Sequence, residues 1–161
     1  MFLMLKNFLL KNCLLISLIS NPEKLTVRGH SMEPLLKEGQ EIYLLKDYYK
    51  NNKAEKGDVV VLVVGLEKNK IIKKVFGISG DKFSVVNSGS NCSIQINGEI
   101  LKNSFGTVFY LNCKILELYA RDYSSIPKDG YLILGEMTDG SNDSSKFGLV
   151  GREQILGKVC F

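Results

Sequence analysis

Histidine is almost absent from this sequence, since His30 is the only one among 161 residues. The four cysteines (Cys13, Cys92, Cys113 and Cys160) show no C-x-x-C spacing. Zinc sites draw on closely spaced Cys and His ligands, so no metal site is expected, and no cofactor is indicated. We interpret the cysteines as buried free thiols. The alternative is a Cys92–Cys113 disulfide, which could form if the chain faces an oxidising compartment.

A concentrated basic stripe is also missing. The net charge is +4, but the lysines are scattered among acidic residues, which argues against nucleic acid as a partner. Solubility is the simplest explanation of the excess charge, and attraction to anionic lipid is the alternative. With 45% apolar and 24% charged residues, the chain predicts one globular domain with or without a tail.

Residues 1–20 are rich in leucine and contain neither glycine nor proline, which favours an apolar helix. Lys11 lies at the centre of this segment and costs about 2.5–3.5 kcal/mol on insertion, whereas each Leu, Ile or Phe returns only about 0.3–0.6 kcal/mol. Insertion is therefore marginal, and we predict a weak membrane anchor that either spans the bilayer or lies in its interface. A cleaved signal peptide and a buried core helix are the alternatives.

Beyond residue 20 the apolar pattern changes to strand length, and we predict no further helix of useful length. Asn97-Gly98, between two short apolar runs, is the strongest hairpin signal in the chain. The fold class is therefore all-β, with packed antiparallel sheets or a partly closed barrel after the N-terminal apolar helix. The predicted strands are Glu41–Leu45, Val59–Val64, Lys70–Ile78, Phe83–Val86, Ser93–Leu101, Val108–Tyr119, Tyr131–Leu134 and Ile155–Val159.

Ser31 lies between a glycine and a proline, at a bend that can present a hydroxyl nucleophile on a rigid support. His30 directly precedes it, and neighbouring side chains on extended backbone point to opposite faces, so His30 is a poor base for Ser31. A buried, neutral lysine is the other common base. Lys73 and Lys74 lie within an apolar run and alternate in direction, so one can approach Ser31 while the other stays solvated. The residues alone do not decide between the two.

Four segments, in their order along the chain, resemble the boxes of the type I signal peptidase family. They are Ser31-Met32-Glu33-Pro34, Gly57-Asp58-Val59-Val60, Lys73-Lys74-Val75-Phe76-Gly77-Ile78-Ser79-Gly80-Asp81 and the segment from Gly135 to Ser145. The resemblance covers about residues 25–160 and implies a signal-peptidase-like fold for a catalytic domain over residues 25–161. No large inserted domain is present, so the chain resembles the short, minimal members.

The resemblance also implies roles for individual residues. Ser31 would be the nucleophile and Lys73 the general base, and Ser141 matches the serine that orients the base. Lys74 matches a second basic residue and Asp143 a structural acid of the last box.

The oxyanion hole would use the backbone N–H of Ser31. The family's second contributor falls on Gly29, which has no hydroxyl group. Met32 and Leu35 flank Ser31 and would belong to the substrate pocket or to plain core packing. Ser79, Glu136 and Ser145 depart from the usual residues of the boxes, but these changes affect scaffolding, so an active enzyme is expected.

In this interpretation the protein is a membrane-associated serine endopeptidase that removes signal peptides from exported preproteins. Its partners would be signal peptides with Ala-x-Ala-like sites and membrane lipid, with the monomeric catalytic domain on the outer face of the plasma or inner membrane. One alternative is a self-cleaving, repressor-like regulatory module with a Ser/Lys dyad, but neither a DNA-binding helical domain nor a cleavable linker is recognisable. Another is an inactive protein that binds signal peptides.

Overall fold

The computed structural model describes Cys13 and residues 21–161, and ten strands and two α-helices form the regular structure of this part of the chain. Short 3-10 turns cover Tyr48–Lys50 and Arg152–Gln154. The strands are β1 Glu23–Thr26, β2 Glu41–Lys46, β3 Val59–Val64, β4 Asn69–Ile78, β5 Phe83–Ser88, β6 Asn91–Ile96, β7 Glu99–Ile100, β8 Gly130–Leu134, β9 Val150–Gly151 and β10 Ile155–Cys160, and the helices are α1 Lys114–Asp122 and α2 Ser144–Phe147.

The predicted helical anchor over residues 1–20 lies, apart from Cys13, outside the described residues. None of the helices in the described part of the chain is both long enough and apolar enough to cross a membrane.

A seven-stranded sheet contains most of the strands, in the order β1-β2-β10-β3-β4-β8-β9. A smaller sheet has the order β5-β6-β7, and neighbouring strands in both sheets are antiparallel. The valine-rich run Val59–Val64 forms β3 over the predicted residues and is buried between β10 and β4, as a continuous apolar run favours. The predicted all-β body of antiparallel sheets is confirmed.

The hairpin predicted at Asn97-Gly98 joins β6 to β7. Asn97 has φ 54° and Gly98 has φ 85°. Two consecutive left-handed residues match the twist of antiparallel strands, which is why Asn-Gly is favoured in this turn.

The predicted strand Val108–Tyr119 is wrong, because helix α1 begins at Lys114. Leu116 is buried, and Tyr119 and Ala120 pack against the same core at helical spacing. The apolar residues 108–111 precede this change of period directly, so the run reads as one strand when only its apolar content is considered. The prediction of no helix beyond residue 20 fails for the same reason.

The cysteines are buried or half-buried but are not free thiols. Cys92 is bonded to Cys113, with a Cα–Cα distance of 5.9 Å, and Cys13 is bonded to Cys160, with a Cα–Cα distance of 5.8 Å. An isolated bridge pairs Cys92 with Leu111 and so brings Cys113 beside it. The prediction of free thiols is therefore corrected by two pairings, each of which joins parts of the chain that are distant in sequence.

An apolar core under the Ser31 segment holds that segment to the sheet. Met32 is 2% exposed and Leu36 is fully buried, and both pack with Ile42, Val61 and other residues from β1, β2, β3 and β10. Burial of each such side chain contributes about 1.5–3 kcal/mol. Met32 and Leu36 therefore anchor the residues that follow the candidate nucleophile.

Candidate active site

Ser31 lies in a tight turn whose backbone is tied to the sheet on both sides. The N–H of Glu33 donates to the carbonyl oxygen of His30 at 2.9 Å, which closes the turn around Ser31. The carbonyl oxygen of Ser31 accepts from the N–H of Glu136 at 2.8 Å and from that of Met137 at 3.3 Å. The position of the hydroxyl is therefore set by the end of β8 as well as by its own turn.

Lys73 is brought to Ser31 by strand β4, in which it is paired with Val60 of β3. Its side chain is buried, since the residue is 3% exposed. Lys73 Nζ donates to Ser31 Oγ at 2.7 Å and to the carbonyl oxygen of Ile72 at 2.9 Å. Burial lowers the pKa of Lys73 from 10.5 to about 8, and the negative charge of Asp143 raises it in part. A large neutral fraction at mildly alkaline pH follows, as a lysine base requires.

Lys74 points away from Ser31, as alternation along the strand predicts, but it is not solvated. Its side chain is 15% exposed, and Nζ donates to the fully buried carboxylate of Glu136 at 3.2 Å. Nζ also donates to Ser104 Oγ and lies 5.0 Å from the centre of the Phe76 ring. The Glu136 carboxylate in turn accepts from the N–H of Ser104 at 2.9 Å. Lys74 and Glu136 thus hold the loop that contains Ser104 against β4 and β8.

Ser141 donates its hydroxyl proton to Asp143, whereas the contacts of Lys73 Nζ among the described residues are Ser31 and Ile72. Asp143 is fully buried and also accepts from the N–H groups of Gly135 and Ser145, each at 3.0 Å. The expected contact between Ser141 and the base is therefore not seen. The structure instead links Ser141 to a buried carboxylate whose charge acts on Lys73.

Gly135 packs directly against both Ser31 and Ser141. A Cβ atom at this position would lie 2.5 Å from the carbonyl oxygen of Ser31 and 2.6 Å from Ser141 Oγ. Real Cβ atoms do not approach neighbours this closely, so only glycine allows the two serines to pack here.

At the expected oxyanion position, the N–H of Gly29 donates to Glu38 Oε1 at 3.2 Å. The N–H of Ser31 has no acceptor among residues 21–161, which leaves it available to a substrate oxygen. Gly29 has φ 75°, a backbone conformation that glycine adopts without strain.

Sequence reasoning missed the role of His30, which bridges two glutamates beside Ser31. Its Nδ1 lies 2.9 Å from Glu33 Oε1 and its Nε2 lies 3.2 Å from Glu38 Oε2. The hydrogen bond to Glu33 raises the pKa of His30, and the charges of both glutamates add to this effect. Both ring nitrogens face carboxylates, so His30 does not serve Ser31 as a base in this arrangement.

A groove of about 490 Å³ leads away from Ser31 and Lys73 along β1 and the first half of β4. Met32 lines it although its side chain is almost completely buried, whereas Leu35 packs against the core beneath and is not part of the lining. The apolar part of the lining comprises Leu25, Val27, Met32, Val61, Ile71 and Ile72.

Both edges of this groove have unpaired strand backbone. β1 is the edge strand of its sheet, and β4 pairs with β8 only from Lys74 onward. Because such edges accept an added strand, an extended peptide can bind here with its end at Ser31.

Known proteins are similar in sequence to this chain over most of its length. The model of the family described as "Signal peptidase, peptidase S26" matches residues 3–161. Signal peptidase IB of Staphylococcus aureus is 33% identical over 147 residues, which cover 84% of this chain and 74% of that protein. A probable signal peptidase I-2 of Synechocystis is 29% identical over 141 residues, which cover 83% of this chain and 59% of that protein.

Among solved structures, a signal peptidase I from Enterococcus faecalis aligns with a TM-score of 0.47 and 19% identity, covering 66% of this chain and 96% of that one. The assignment rests on the family match, which spans nearly the whole chain, and on the 33% identical relative. Together they show that this chain belongs to the signal peptidase family, peptidase S26.

Proposed function

We propose that this serine endopeptidase of the signal peptidase family removes signal peptides from exported preproteins by a Ser31–Lys73 mechanism. The observation that carries the proposal is the 2.7 Å contact between Lys73 Nζ and Ser31 Oγ. A buried lysine that donates to a serine hydroxyl when charged can accept the hydroxyl proton when neutral.

In the acylation step, neutral Lys73 takes the proton of Ser31 Oγ while the oxygen attacks the carbonyl carbon of the scissile peptide bond. The negative charge that develops on the carbonyl oxygen is stabilised by the N–H of Ser31. Lys73 then gives its proton to the leaving amine, and the substrate acyl group remains as an ester of Ser31.

In the deacylation step, neutral Lys73 takes a proton from water, and the resulting nucleophile attacks the ester carbonyl. The serine oxygen leaves with the proton held by Lys73, which returns the enzyme to its starting state. No other titratable side chain lies within hydrogen-bond distance of Lys73 Nζ in the described part of the chain, so one base serves both steps.

Substrate recognition in this proposal follows from the groove. The scissile segment of the signal peptide adds as a strand between the free edges of β1 and β4. Apolar residues such as Leu25, Ile72 and Met32 form shallow pockets for small side chains, which fits sites of the Ala-x-Ala type.

We place the catalytic domain, as a monomer, on the outer face of the membrane. Disulfides persist mainly in oxidising compartments, and Cys92–Cys113 and Cys13–Cys160 both support this location. The bond from Cys13 to Cys160 also supports retention of the N-terminal segment, because it ties Cys13 covalently to β10. Residues 1–20 would then provide the contact with lipid.

Cleavage of a preprotein with an Ala-x-Ala site, in detergent or lipid, tests the proposal. We expect wild type to release a product that ends at the small residue and Ser31→Ala and Lys73→Ala to release none. Ser84→Ala and Lys82→Ala, on or beside β5 and away from the groove, are matched controls that keep activity. Binding of the preprotein without cleavage by wild type would favour the inactive binding protein, and activity in Lys73→Ala would exclude Lys73 as the base.

A further inference from the structure

All charged residues that line the groove are basic. They are Lys24, Arg28, Lys70 and Lys73. Lys73 is engaged with Ser31, Lys24 forms an ion pair of 2.5 Å with Glu41, and Lys70 lies 4.0 Å from Glu23. Arg28 is different, because no carboxylate among residues 21–161 lies within ion-pair distance of it. Apart from Lys73, which is engaged with Ser31, it is therefore the groove cation of the described residues that has no carboxylate partner.

The backbone around Arg28 shows how a bound peptide would meet this side chain. The N–H of Val27 donates to the carbonyl oxygen of Gln40, and the N–H of Gly39 donates to the carbonyl oxygen of Val27, both at 2.9 Å. The N–H and C=O of Arg28 have no partner among residues 21–161, and Arg28 lines the groove, so an added strand can pair with them.

A substrate residue that pairs with Arg28 has its side chain on the same face as the guanidinium group. Cβ atoms of such cross-strand pairs lie about 4.5–5.5 Å apart, which is within reach of an arginine and a carboxylate. Arg28 precedes Ser31 by three residues, which span at most about 10 Å and less here because the chain bends at Gly29. The paired substrate residue is therefore no more than about three residues from the scissile bond.

We propose that Arg28 is a specificity-determining residue that favours an acidic side chain on the substrate, within about three residues of the scissile bond, and disfavours a basic one there. This inference rests on the proposed peptidase function and on strand addition in the groove. It defines a charge preference in addition to the preference for small apolar side chains.

The test uses peptides with one Ala-x-Ala site in which Glu, Gln or Lys is placed at one position at a time on each side of the scissile bond. At the position that pairs with Arg28, we expect wild type to cleave the Glu peptide with about fivefold higher kcat/KM than the Gln peptide, the effect of one favourable cross-strand ion pair. The difference should appear in KM rather than in kcat, since the contact is the same in the bound ground state and in the transition state. It should shrink at about 0.5 M salt, where exposed charges are screened.

Charge reversal separates this role from a structural one. Arg28→Gln should cleave Glu and Gln peptides equally well, and Arg28→Glu should prefer the Lys peptide. Arg121→Gln and Arg121→Glu are the matched controls, because Arg121 is an exposed arginine on α1 outside the groove. Both control variants should cleave the Glu, Gln and Lys peptides in the same order of preference as wild type.

An unchanged order of Glu, Gln and Lys peptides in Arg28→Glu would overturn the inference. If that variant does not fold, equal KM values of wild type for all three peptides at low salt would overturn it as well. Failure of wild type to cleave the Gln peptide would instead contradict the proposed function, so the two failures are distinguishable.

Discussion

Lys73 Nζ lies 2.7 Å from Ser31 Oγ, although 42 residues separate the two along the chain. Strand β4 carries Lys73 beside β3, and the turn that contains Ser31 is held from below by Met32 and from the side by the N–H of Glu136. Three separate parts of the chain therefore set one distance. A substitution that moves any of them should change the reaction even when neither Ser31 nor Lys73 is replaced.

The pH dependence of cleavage should report the pKa of Lys73 and its response to Asp143. Since the neutral amine is the base, kcat/KM of wild type should rise with pH and level off above about 8. Asp143→Asn removes a negative charge that raises the pKa of Lys73, so the rise should move to lower pH. Measurement of kcat/KM from about pH 6 to about pH 10 checks this. Ser84→Ala is the control, and a rise at higher pH in Asp143→Asn would contradict the charge effect.

The low pKa of Lys73 also predicts a cost to stability. Its pKa falls from 10.5 in the unfolded chain to about 8 in the fold, so the unfolded state binds more protons between these values and stability rises with pH across that window. Lys73→Met should therefore raise the free energy of unfolding at pH 7 by up to about 3 kcal/mol and abolish cleavage.

Urea denaturation at pH 7 and near pH 10.5 measures this effect. The advantage of Lys73→Met should shrink at the higher pH, where wild-type Lys73 is neutral in the folded state and no buried charge remains. Lys82→Met is the control for the loss of a lysine charge. Lower stability of Lys73→Met at both pH values would show that the hydrogen bonds of Lys73 outweigh the cost of burying its charge.

Gly135→Ala should impair catalysis strongly. The added Cβ would lie 2.5 Å from the carbonyl oxygen of Ser31 and must displace it, and a shift of about 1 Å in a reacting group can cost about 100-fold in rate. We expect at least this loss in kcat/KM from steady-state assays. Gly130→Ala, at the start of β8, the strand that ends directly before Gly135, meets its nearest atom at 3.1 Å and lies outside the site. Equal activity of the two variants would argue against Gly135 as a spacer between the serines.

Substitutions of Lys74 and Glu136 should have strongly non-additive effects on the free energy of unfolding. Lys74→Met or Glu136→Leu alone leaves an unpaired charge in a site where the Glu136 side chain is fully buried, at a cost of about 3–5 kcal/mol in unfolding free energy. The double variant should cost far less than the sum, because no charge is left behind. A double-mutant cycle by urea denaturation measures the coupling energy.

The exposed pair Lys24–Glu41 is the matched control for this cycle and should show a coupling energy of at most about 1 kcal/mol. Additive effects at Lys74 and Glu136 would show that the two side chains act independently.

Local sequence patterns predict the strands and the hairpin well because their signals lie within a few residues. Val59–Val64 is a continuous apolar run, and Asn97-Gly98 is a turn that needs two left-handed residues. The order of the four boxes also pointed to Ser31 and Lys73, which the structure brings into contact.

Contacts between distant parts of the chain could not be predicted in this way. Glu136 accepts a hydrogen bond from Lys74, which lies 62 positions away in the sequence. The hydroxyl group of Ser141 donates to Asp143 and not to Lys73. The bridge of His30 to Glu38 depends on how the chain returns after Pro34. A sequence pattern identifies candidate residues, whereas the contacts that these residues make depend on how the strands pack in the folded protein.

The position of β10 in the middle of the large sheet has a consequence for biogenesis. β10 contains residues 155–160 and lies between β2 and β3, with Lys158 bonded to Asp58 at 2.6 Å. Until residues 155–160 emerge from the ribosome or the export channel, β2 and β3 each keep an open edge and the sheet cannot close. The catalytic domain therefore closes only after residues 155–160 have emerged, and a partly exported chain would depend on protection from aggregation until then.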